Sequence, residues 1–268
     1  MPASSDPAFE ALLASAHALA DQASAVILPH FRTDLSIDHK GGTAFDPVTV
    51  ADRAAEAAMR ATLAKTYPGH GIVGEELGPE RADADYCWVL DPIDGTRAFI
   101  MGQPLWGVLI GLLAQGQPLL GLMHQPFTGE RFFSGEREAF FRRDGAERRM
   151  RTRGCPSLGE AFLACTTPDL FESEEERQSF AALSRQVRLR RFGGDCYNYC
   201  LLALGQIDLV VEAGLKPFDI LPLMPIIERA GGVVTTWDGG DARGGGRILA
   251  AGDPALHERA MTALAGFA

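Results

Sequence analysis

The sequence lacks an excess of basic residues. It has 25 Lys and Arg against 35 Asp and Glu in 268 residues, which is a formal net charge of −10. Proteins that bind nucleic acid or an anionic membrane surface through charge need clustered cations. This chain is a poor candidate for either class. The acidic excess is either spread over the surface for solubility or collected in one site.

The sequence is also poor in cysteine and in long apolar segments. Its five cysteines are odd in number and none has CxxC spacing, which favours buried reduced thiols over disulfides or a zinc site. The longest apolar run, Leu105 to Ala114, has about half of the roughly 20 residues that a membrane-spanning helix needs. The amino terminus has no basic segment followed by an apolar one, as a secretory signal would. We therefore expect a cytoplasmic protein.

What the sequence does have is alternating helical and strand-like patterns. Hydrophobic residues make up 46% of the chain, as in an ordinary packed protein. A hairpin is predicted over 106–123, with Gln-Gly-Gln in its turn. The combination of helices and hairpins predicts an α/β (α+β) fold with layered, largely antiparallel sheets. Apolar residues recur at helical spacing over about 7–30, 49–65, 196–205, 219–230 and 254–266.

Two carboxylates follow an apolar strand directly in the segment Trp-Val-Leu-Asp-Pro-Ile-Asp-Gly-Thr. Asp91 and Asp94 at a strand end can converge on one hard cation, and the Ile93 carbonyl between them can add an oxygen ligand. If a helix begins next, the amides of Gly95 and Thr96 face outward as an anion site. Carboxylates for a metal beside amides for a phosphate indicate a phosphate-ester hydrolase. An Asx-capped turn is the simpler interpretation of the same residues.

Three further acidic residues occupy comparable positions. Glu75 follows a short strand, Asp52 lies in the first turns of the second helix, and Asp219 begins an apolar helix. Each alone can be interpreted as a helix cap or a partner of the helix dipole. Together with the first segment, they favour a single acidic site.

This pattern resembles the inositol monophosphatase superfamily of magnesium-dependent phosphatases. Both usual signatures are present, the stretch at 88–96 and a later one at 216–232 that runs from Lys-Pro-Phe-Asp to Ala-Gly-Gly. The second usually has Trp at the position of Phe218. The resemblance covers nearly the whole chain and implies an αβαβα sandwich.

The resemblance also implies how the chain is organised. It predicts a single catalytic domain over 1–268, made of two packed subdomains, roughly 1–150 and 151–268. Many members of the superfamily are dimers, so a homodimer is expected.

Carried over by position, the metal ligands form two Mg²⁺ sites. Glu75, Asp91 and the Ile93 carbonyl would hold one ion; Asp91, Asp94 and Asp219 would hold a second. Glu75 would also share in a third, weaker site, which gives two to three ions per active site. Four like charges in one pocket are costly unless divalent cations neutralise them, and Mg²⁺ prefers oxygen ligands.

The remaining catalytic roles are carried over in the same way. Asp52 with Thr96 would orient the attacking water, with Glu75 also counted among the catalytic residues. The amides of Gly95 and Thr96 would bind the phosphate. Lys40 is placed near the metals on a loop.

Within the superfamily, the flanking residues resemble histidinol-phosphate phosphatases. Those enzymes commonly continue the motif as Thr-Arg-Ala-Phe-Ile and then Pro-Leu-Trp-Gly, as 96–100 and 104–107 do here. Histidinol phosphate carries an ammonium group and an imidazole that can protonate, and Asp195 and Glu212 would offer them anionic partners. Arg190 is either near the substrate or a surface charge at a strand end.

Three functions stay open from the sequence. The first is hydrolysis of L-histidinol phosphate, a step of histidine biosynthesis. The second is hydrolysis of inositol 1-phosphate or another small phosphate ester. The third is a non-catalytic metal-binding module, which should have lost a ligand or the threonine of the motif; this sequence keeps them all.

Overall fold

The structure, a computed structural model, describes residues 6–33, 37–39 and 47–265. In these ranges the α-helices are α1 (Pro7–Ile27), α2 (Val50–Thr66), α3 (Thr96–Ile100), α4 (Glu174–Ser184), α5 (Asp195–Ala203), α6 (Pro217–Ile220), α7 (Met224–Ala230) and α8 (Pro254–Ala265). The strands are β1 (Ile37–His39), β2 (Pro47–Thr49), β3 (Gly71–Gly74), β4 (Gly78–Glu80), β5 (Tyr86–Asp94), β6 (Gly107–Ala114), β7 (Gln117–Gln125), β8 (Glu130–Ser134), β9 (Ala139–Arg143), β10 (Ala146–Met150), β11 (Phe162–Cys165), β12 (Leu189–Phe192), β13 (Leu209–Leu215), β14 (Val233–Thr236) and β15 (Gly246–Ala251).

Two large sheets organise the described chain. One has eight strands in the order β10-β9-β8-β7-β6-β5-β3-β4, and the other has five in the order β12-β11-β13-β15-β14. β3 and β5 run parallel, as do β11 and its neighbours β12 and β13; the other neighbours in both sheets are antiparallel. The predicted hairpin is the β6–β7 pair.

α1 and α2 cover one face of the eight-stranded sheet. Asp6 caps α1 by accepting a hydrogen bond from Ala8 N at 2.9 Å, and Pro7 occupies the first turn. The buried stripe of α1, which includes Leu19, joins Met59 of α2 and Trp88 of β5 in one core cluster. Burial of these apolar faces, rather than helix propensity alone, stabilises the two helices.

The opposite face of this sheet packs on α5 and α7. Alternation along β5 turns Val89 to this side, into a cluster with Tyr199 and Ile226. Val210 and Ile248 of the five-stranded sheet belong to the same cluster. The two helices therefore form a middle layer between the sheets.

α4 and α8 cover the outer face of the five-stranded sheet. Phe180 and Leu256 from these helices pack on Val211 and Leu249 of the sheet. The order of layers is helix, sheet, helix, sheet, helix, and the predicted αβαβα sandwich is confirmed.

The first helix has the length and composition of a membrane-spanning segment. Pro7–His30 passes that test, with 39% of its most apolar window buried in the structure. An amphipathic core helix of this length has the same properties, and its buried face belongs to the first core cluster.

Between β10 and β11 the chain passes from one sheet to the other, near residue 150. The single domain with two subdomains stays a prediction. The helix predicted over 219–230 is two helices, because Pro222 lies in the turn after α6 and Pro225 lies in the first turn of α7.

Candidate active site

The parallel pairing of β3 and β5 brings two acidic residues to one sheet edge. Gly74 is in register with Leu90, and Glu75 N donates to the Leu90 carbonyl at 3.1 Å. Glu75 therefore leaves the sheet beside Asp91, because carboxyl ends of parallel strands meet at one edge. This adjacency accounts for the effect of Glu75 on the pKa of Asp91 described below.

A three-carboxylate cluster lies at the end of β5. Asp91, Asp94 and Asp219 each offer an oxygen, and these oxygens lie within 4.8 Å of one another. Asp219 is held at the start of α6 by a hydrogen bond from Lys216 N at 2.7 Å. Asp94 accepts a hydrogen bond from Cys196 N at 2.7 Å, which ties β5 to the start of α5. The structure thus brings together residues that are up to 128 positions apart in the sequence.

Burial and mutual repulsion dominate the electrostatics of the cluster. Burial raises the pKa of Asp91, and the neighbouring charges of Glu75, Asp94 and Asp219 raise it further. Burial also raises the pKa of Asp94, with added repulsion from Asp195 and Asp219. A bound divalent cation would offset this repulsion, and the all-oxygen donor set fits Mg²⁺.

Asp52 lies at the start of α2, with one oxygen hydrogen-bonded and the other without a partner in the part of the chain that the structure describes. Its Oδ2 accepts hydrogen bonds from Thr49 N at 2.9 Å and from Thr49 Oγ1 at 2.5 Å, completing a capping box. Its Oδ1 is buried and has no hydrogen-bond partner among the described residues. Burial raises the pKa of Asp52, and the charge of Glu75 contributes to the rise. A buried orphan oxygen beside acidic groups needs a water or a cation-bound ligand as its partner.

The turn after β5 requires a glycine and orients a hydroxyl. Gly95 has φ of +86° and precedes α3, and an added Cβ would lie 2.9 Å from the Leu105 carbonyl. Thr96 Oγ1 donates to the Ile93 carbonyl at 3.0 Å, so its own lone pairs remain available to accept a hydrogen bond.

An open cavity of about 140 Å³ lies beside the carboxylate cluster. Leu170 and Leu223 supply apolar wall, while the polar lining includes Asp94, Thr166, Asp195, Tyr199, Glu212 and Asp219.

Glu212 faces this cavity from β13 with a fixed carboxylate. Its Oε1 accepts from Thr166 N at 2.9 Å and Thr166 Oγ1 at 2.6 Å, and its Oε2 accepts from Tyr199 Oη at 3.2 Å. Burial raises the pKa of Glu212 to about 7, with these hydrogen bonds opposing the rise and the charge of Asp195 adding to it.

Asp195 also lines the cavity, in an unusual backbone conformation. Its φ is +43°, a region that non-glycine residues seldom adopt and that is often associated with functional sites. Burial raises the pKa of Asp195 to about 6, and the positive charge of Arg97 opposes the rise. Two acids of this kind give the cavity a negative wall.

Not every predicted residue lies in this group. Arg190 is exposed on β12, where its Nη1 donates to Ser184 Oγ at 3.3 Å, and it does not line the cavity; its substrate contact stays a prediction. Lys40 lies outside the described residues. Sequence reasoning missed Thr166 and Tyr199 as partners of Glu212, and no local pattern marks them.

Comparison with known proteins decides the family. The sequence profile of the inositol monophosphatase family matches residues 9–266. The chain belongs to the inositol monophosphatase family. Members of this family are metal-dependent phosphatases of small phosphate esters, typically with Mg²⁺.

The names of similar proteins refer to two kinds of substrate. The chain is 42% identical to the bifunctional phosphatase IMPL2 of Arabidopsis thaliana, over 97% of this chain and 77% of that one. It is 35% identical to a histidinol-phosphatase of Mycobacterium tuberculosis, over 92% and 95%. A solved inositol monophosphatase from Zymomonas mobilis is 45% identical, with a TM-score of 0.86 over 97% of this chain and 99% of that one.

Proposed function

We propose that the protein is a Mg²⁺-dependent phosphomonoesterase that hydrolyses L-histidinol phosphate to L-histidinol and phosphate. The observation that carries the proposal is one cavity lined by two groups of acids. Asp94 and Asp219, which form the carboxylate cluster with Asp91, line it together with Asp195 and Glu212. The cluster, or metal side, suits metal ions and a phosphate, and Asp195 with Glu212, the leaving-group side, suits a cationic leaving group.

The acidic residues at the end of β5 would hold the metal ions. We assign Glu75, Asp91 and the Ile93 carbonyl to one Mg²⁺, and Asp91, Asp94 and Asp219 to another, with Glu75 shared by a third. Bound Mg²⁺ would supply an activated water and neutralise charge on the phosphoryl oxygens.

The chain's own polar groups would position the water and the ester. Asp52 Oδ1, which has no partner among the described residues, would accept a hydrogen bond from the attacking water and act as its base. Thr96 Oγ1 would accept a hydrogen bond from the other O–H of that water, since the hydroxyl of Thr96 itself donates to the Ile93 carbonyl. The amides of Gly95 and Thr96 bind the phosphate oxygens.

The leaving-group side would select the alcohol that leaves. Thr166 and Tyr199 hold the Glu212 carboxylate in place, so little rotamer freedom is lost when it binds the substrate. Asp195 adds a second negative group next to it. An ammonium or imidazolium group satisfies both acids, and its charge lowers the pKa of each towards the ionised form.

Inositol 1-phosphate is the second candidate substrate. The structural relative from Zymomonas mobilis is called an inositol monophosphatase and is 45% identical to this chain. A carboxylate such as Glu212 also accepts hydrogen bonds from hydroxyl groups.

Phosphate release from a panel of esters tests the proposal. The panel contains histidinol phosphate, inositol 1-phosphate, fructose 1,6-bisphosphate and adenosine 3′,5′-bisphosphate, each with Mg²⁺. We expect the highest kcat/KM with histidinol phosphate. A better rate with another ester would overturn the specificity but keep the metal chemistry, and no cleavage of any ester would overturn the enzyme.

We also propose a compartment and an oligomeric state for the protein. The five cysteines, which are free and buried, favour the cytoplasm, and the resemblance favours a homodimer. Light scattering on the purified protein measures the second point directly: a monomer mass would contradict it.

A further inference from the structure

A buried ion pair on α2 lies behind the turn that carries Glu75. Glu56 is fully buried, and Arg60 Nε donates to its Oε1 at 2.7 Å. Glu56 is one helical turn after Asp52, so both side chains lie on the same face of α2. Burial of a charged pair costs desolvation free energy. The other hydrogen bonds of Glu56 and Arg60 show which segment of the chain the pair stabilises.

Those hydrogen bonds reach the turn between β3 and β4. Glu56 Oε2 accepts from Glu76 N at 2.8 Å, and Oε1 accepts from Leu77 N at 3.2 Å. Arg60 donates through Nη2 to the Gly78 carbonyl, at the far end of the same turn. The side chain of Leu77 is 48% exposed, so hydrogen bonds rather than apolar packing fix this residue.

The sequence of the turn leaves space for this arrangement. An added Cβ at Gly74 would overlap the Glu56 carboxylate and approach the Arg60 guanidinium. Gly74 has no positive φ, so the contact with Glu56, and not a left-handed backbone, is what requires glycine. The residue that follows it is Glu75.

Glu75 is therefore held from two sides. Its own amide donates to Leu90 of β5 at 3.1 Å, and the next two amides donate to Glu56. The side chain of Glu75 hydrogen-bonds to Asp91, which places Glu75 beside the carboxylate cluster. A shift of the turn would move Glu75 away from Asp91 while leaving the β5 carboxylates in place.

We propose that Glu56, supported by Arg60, is a positioning residue that fixes Glu75 against Asp91 and thereby sets the affinity of the site for divalent cations. The inference rests on the metal site of the proposed function. Groups that orient metal ligands typically change metal affinity by about 10–100-fold when they are altered.

The test is Mn²⁺ binding to EDTA-treated protein, measured from the electron paramagnetic resonance signal of free Mn²⁺. In Glu56→Gln the side chain keeps its size but loses the charge that pairs with Arg60 and presents an NH₂ group to amide donors. We expect the Mn²⁺ Kd to rise about tenfold or more. We also expect phosphate release by this variant to be restored in part by raising Mg²⁺.

The matched control is Asp208→Asn. Asp208 is also buried, pairs with Arg153 at 2.6 Å and accepts from Phe162 N at 2.7 Å. It precedes β13 at the strand ends opposite to the cavity. This variant should lose thermal stability with an unchanged Mn²⁺ Kd.

A second variant keeps the test decisive if Glu56→Gln folds poorly. Gly74→Ala retains Glu56 and displaces its carboxylate, and it should raise the Mn²⁺ Kd in the same way. Equal Mn²⁺ affinities in the unaltered protein, Glu56→Gln and Gly74→Ala would overturn the inference, as would an equal loss in Asp208→Asn. If the unaltered protein binds no Mn²⁺, the proposed metal site itself fails.

Discussion

Asp91 and Asp94 of the metal side lie three residues apart on one strand, whereas Asp195 and Glu212 of the leaving-group side come from a helix start and from a strand of the other sheet. The carboxylates of the first side are held by backbone amides: Ile93 N donates to Asp91 at 3.1 Å and Cys196 N to Asp94 at 2.7 Å. Glu212 depends in addition on two side-chain hydroxyls.

In the proposed function the two sets of residues have different tasks: the metal side serves the hydrolysis and the leaving-group side selects the substrate. Backbone amides do not depend on the identity of their side chains, so Asp91 and Asp94 can keep these donors when the residues that carry them change. Hydroxyl partners are lost with a single substitution, so the leaving-group side can diverge between substrates. We therefore expect variants of the first side to affect every ester and variants of the second to affect the choice of ester.

The largest effect is expected from Asp94→Asn. The substitution removes a charge from the metal cluster, and a loss of about 3–4 kcal/mol in transition-state stabilisation lowers kcat/KM roughly 10²–10³-fold. The loss should be similar for histidinol phosphate and 4-nitrophenyl phosphate.

The matched control for that variant is Asp144→Asn. Asp144 is an exposed acid in the β9–β10 turn. Its replacement by Asn should leave kcat/KM unchanged for both esters. Near-native turnover by Asp94→Asn would contradict the assignment of the metal side.

Glu212→Gln should give the next largest effect, confined to one substrate. Loss of a hydrogen bond to a charged group costs about 1.5–3 kcal/mol, or roughly 10–100-fold in kcat/KM for histidinol phosphate. The rate with 4-nitrophenyl phosphate, which has no cationic group, should change little. Equal losses on the two esters would remove the distinction between the sides.

Metal binding should stabilise the fold measurably. At a Mg²⁺ concentration about 100 times Kd, the free energy of unfolding rises by about 2.7 kcal/mol, which corresponds to roughly 5–10 °C in Tm. Calorimetry with and without EDTA measures the shift. In Asp94→Asn the shift should shrink; a full shift in that variant would place the cation elsewhere.

The smallest effect is a pH dependence of stability from Glu212. Its pKa is raised to about 7 from an ordinary value of 4.5, so the folded state holds the proton more tightly than the unfolded state. This contribution to stability is present in full below the ordinary pKa and is lost as pH rises towards 7.

Urea unfolding of metal-free protein at about pH 5 and about pH 7 measures that contribution. Replacing Glu212 by Gln should reduce the fall in unfolding free energy between these pH values by about 2 kcal/mol. An unchanged fall would show that Glu212 is ionised throughout.

The sequence alone could predict those parts of the site whose residues are close together along the chain. Asp91, Ile93 and Asp94 occupy one short segment after a strand, and their convergence follows from the local geometry of the strand end. Thr166 and Tyr199 lie 46 and 13 positions from Glu212, and only the packing of β11 and α5 on β13 brings them to it.

The position of Glu56 in the structure could not be predicted from the sequence either. In the sequence Glu56 is one of several charges on an alanine-rich helix, a pattern that indicates a solvated face. Its burial depends on the β3–β4 turn, from whose backbone amides Glu56 accepts hydrogen bonds.

The break between α6 and α7 could have been predicted from Pro222 and Pro225. The apolar residues at helical spacing on both sides of these prolines favoured one continuous helix instead.

Mg²⁺ dependence of phosphate release from histidinol phosphate, measured on EDTA-treated protein, tests the central claim most directly. We predict no release without added metal and a saturable rise as Mg²⁺ is restored. A rate that is independent of Mg²⁺ would contradict the assignment of the acidic cluster as the catalytic metal site.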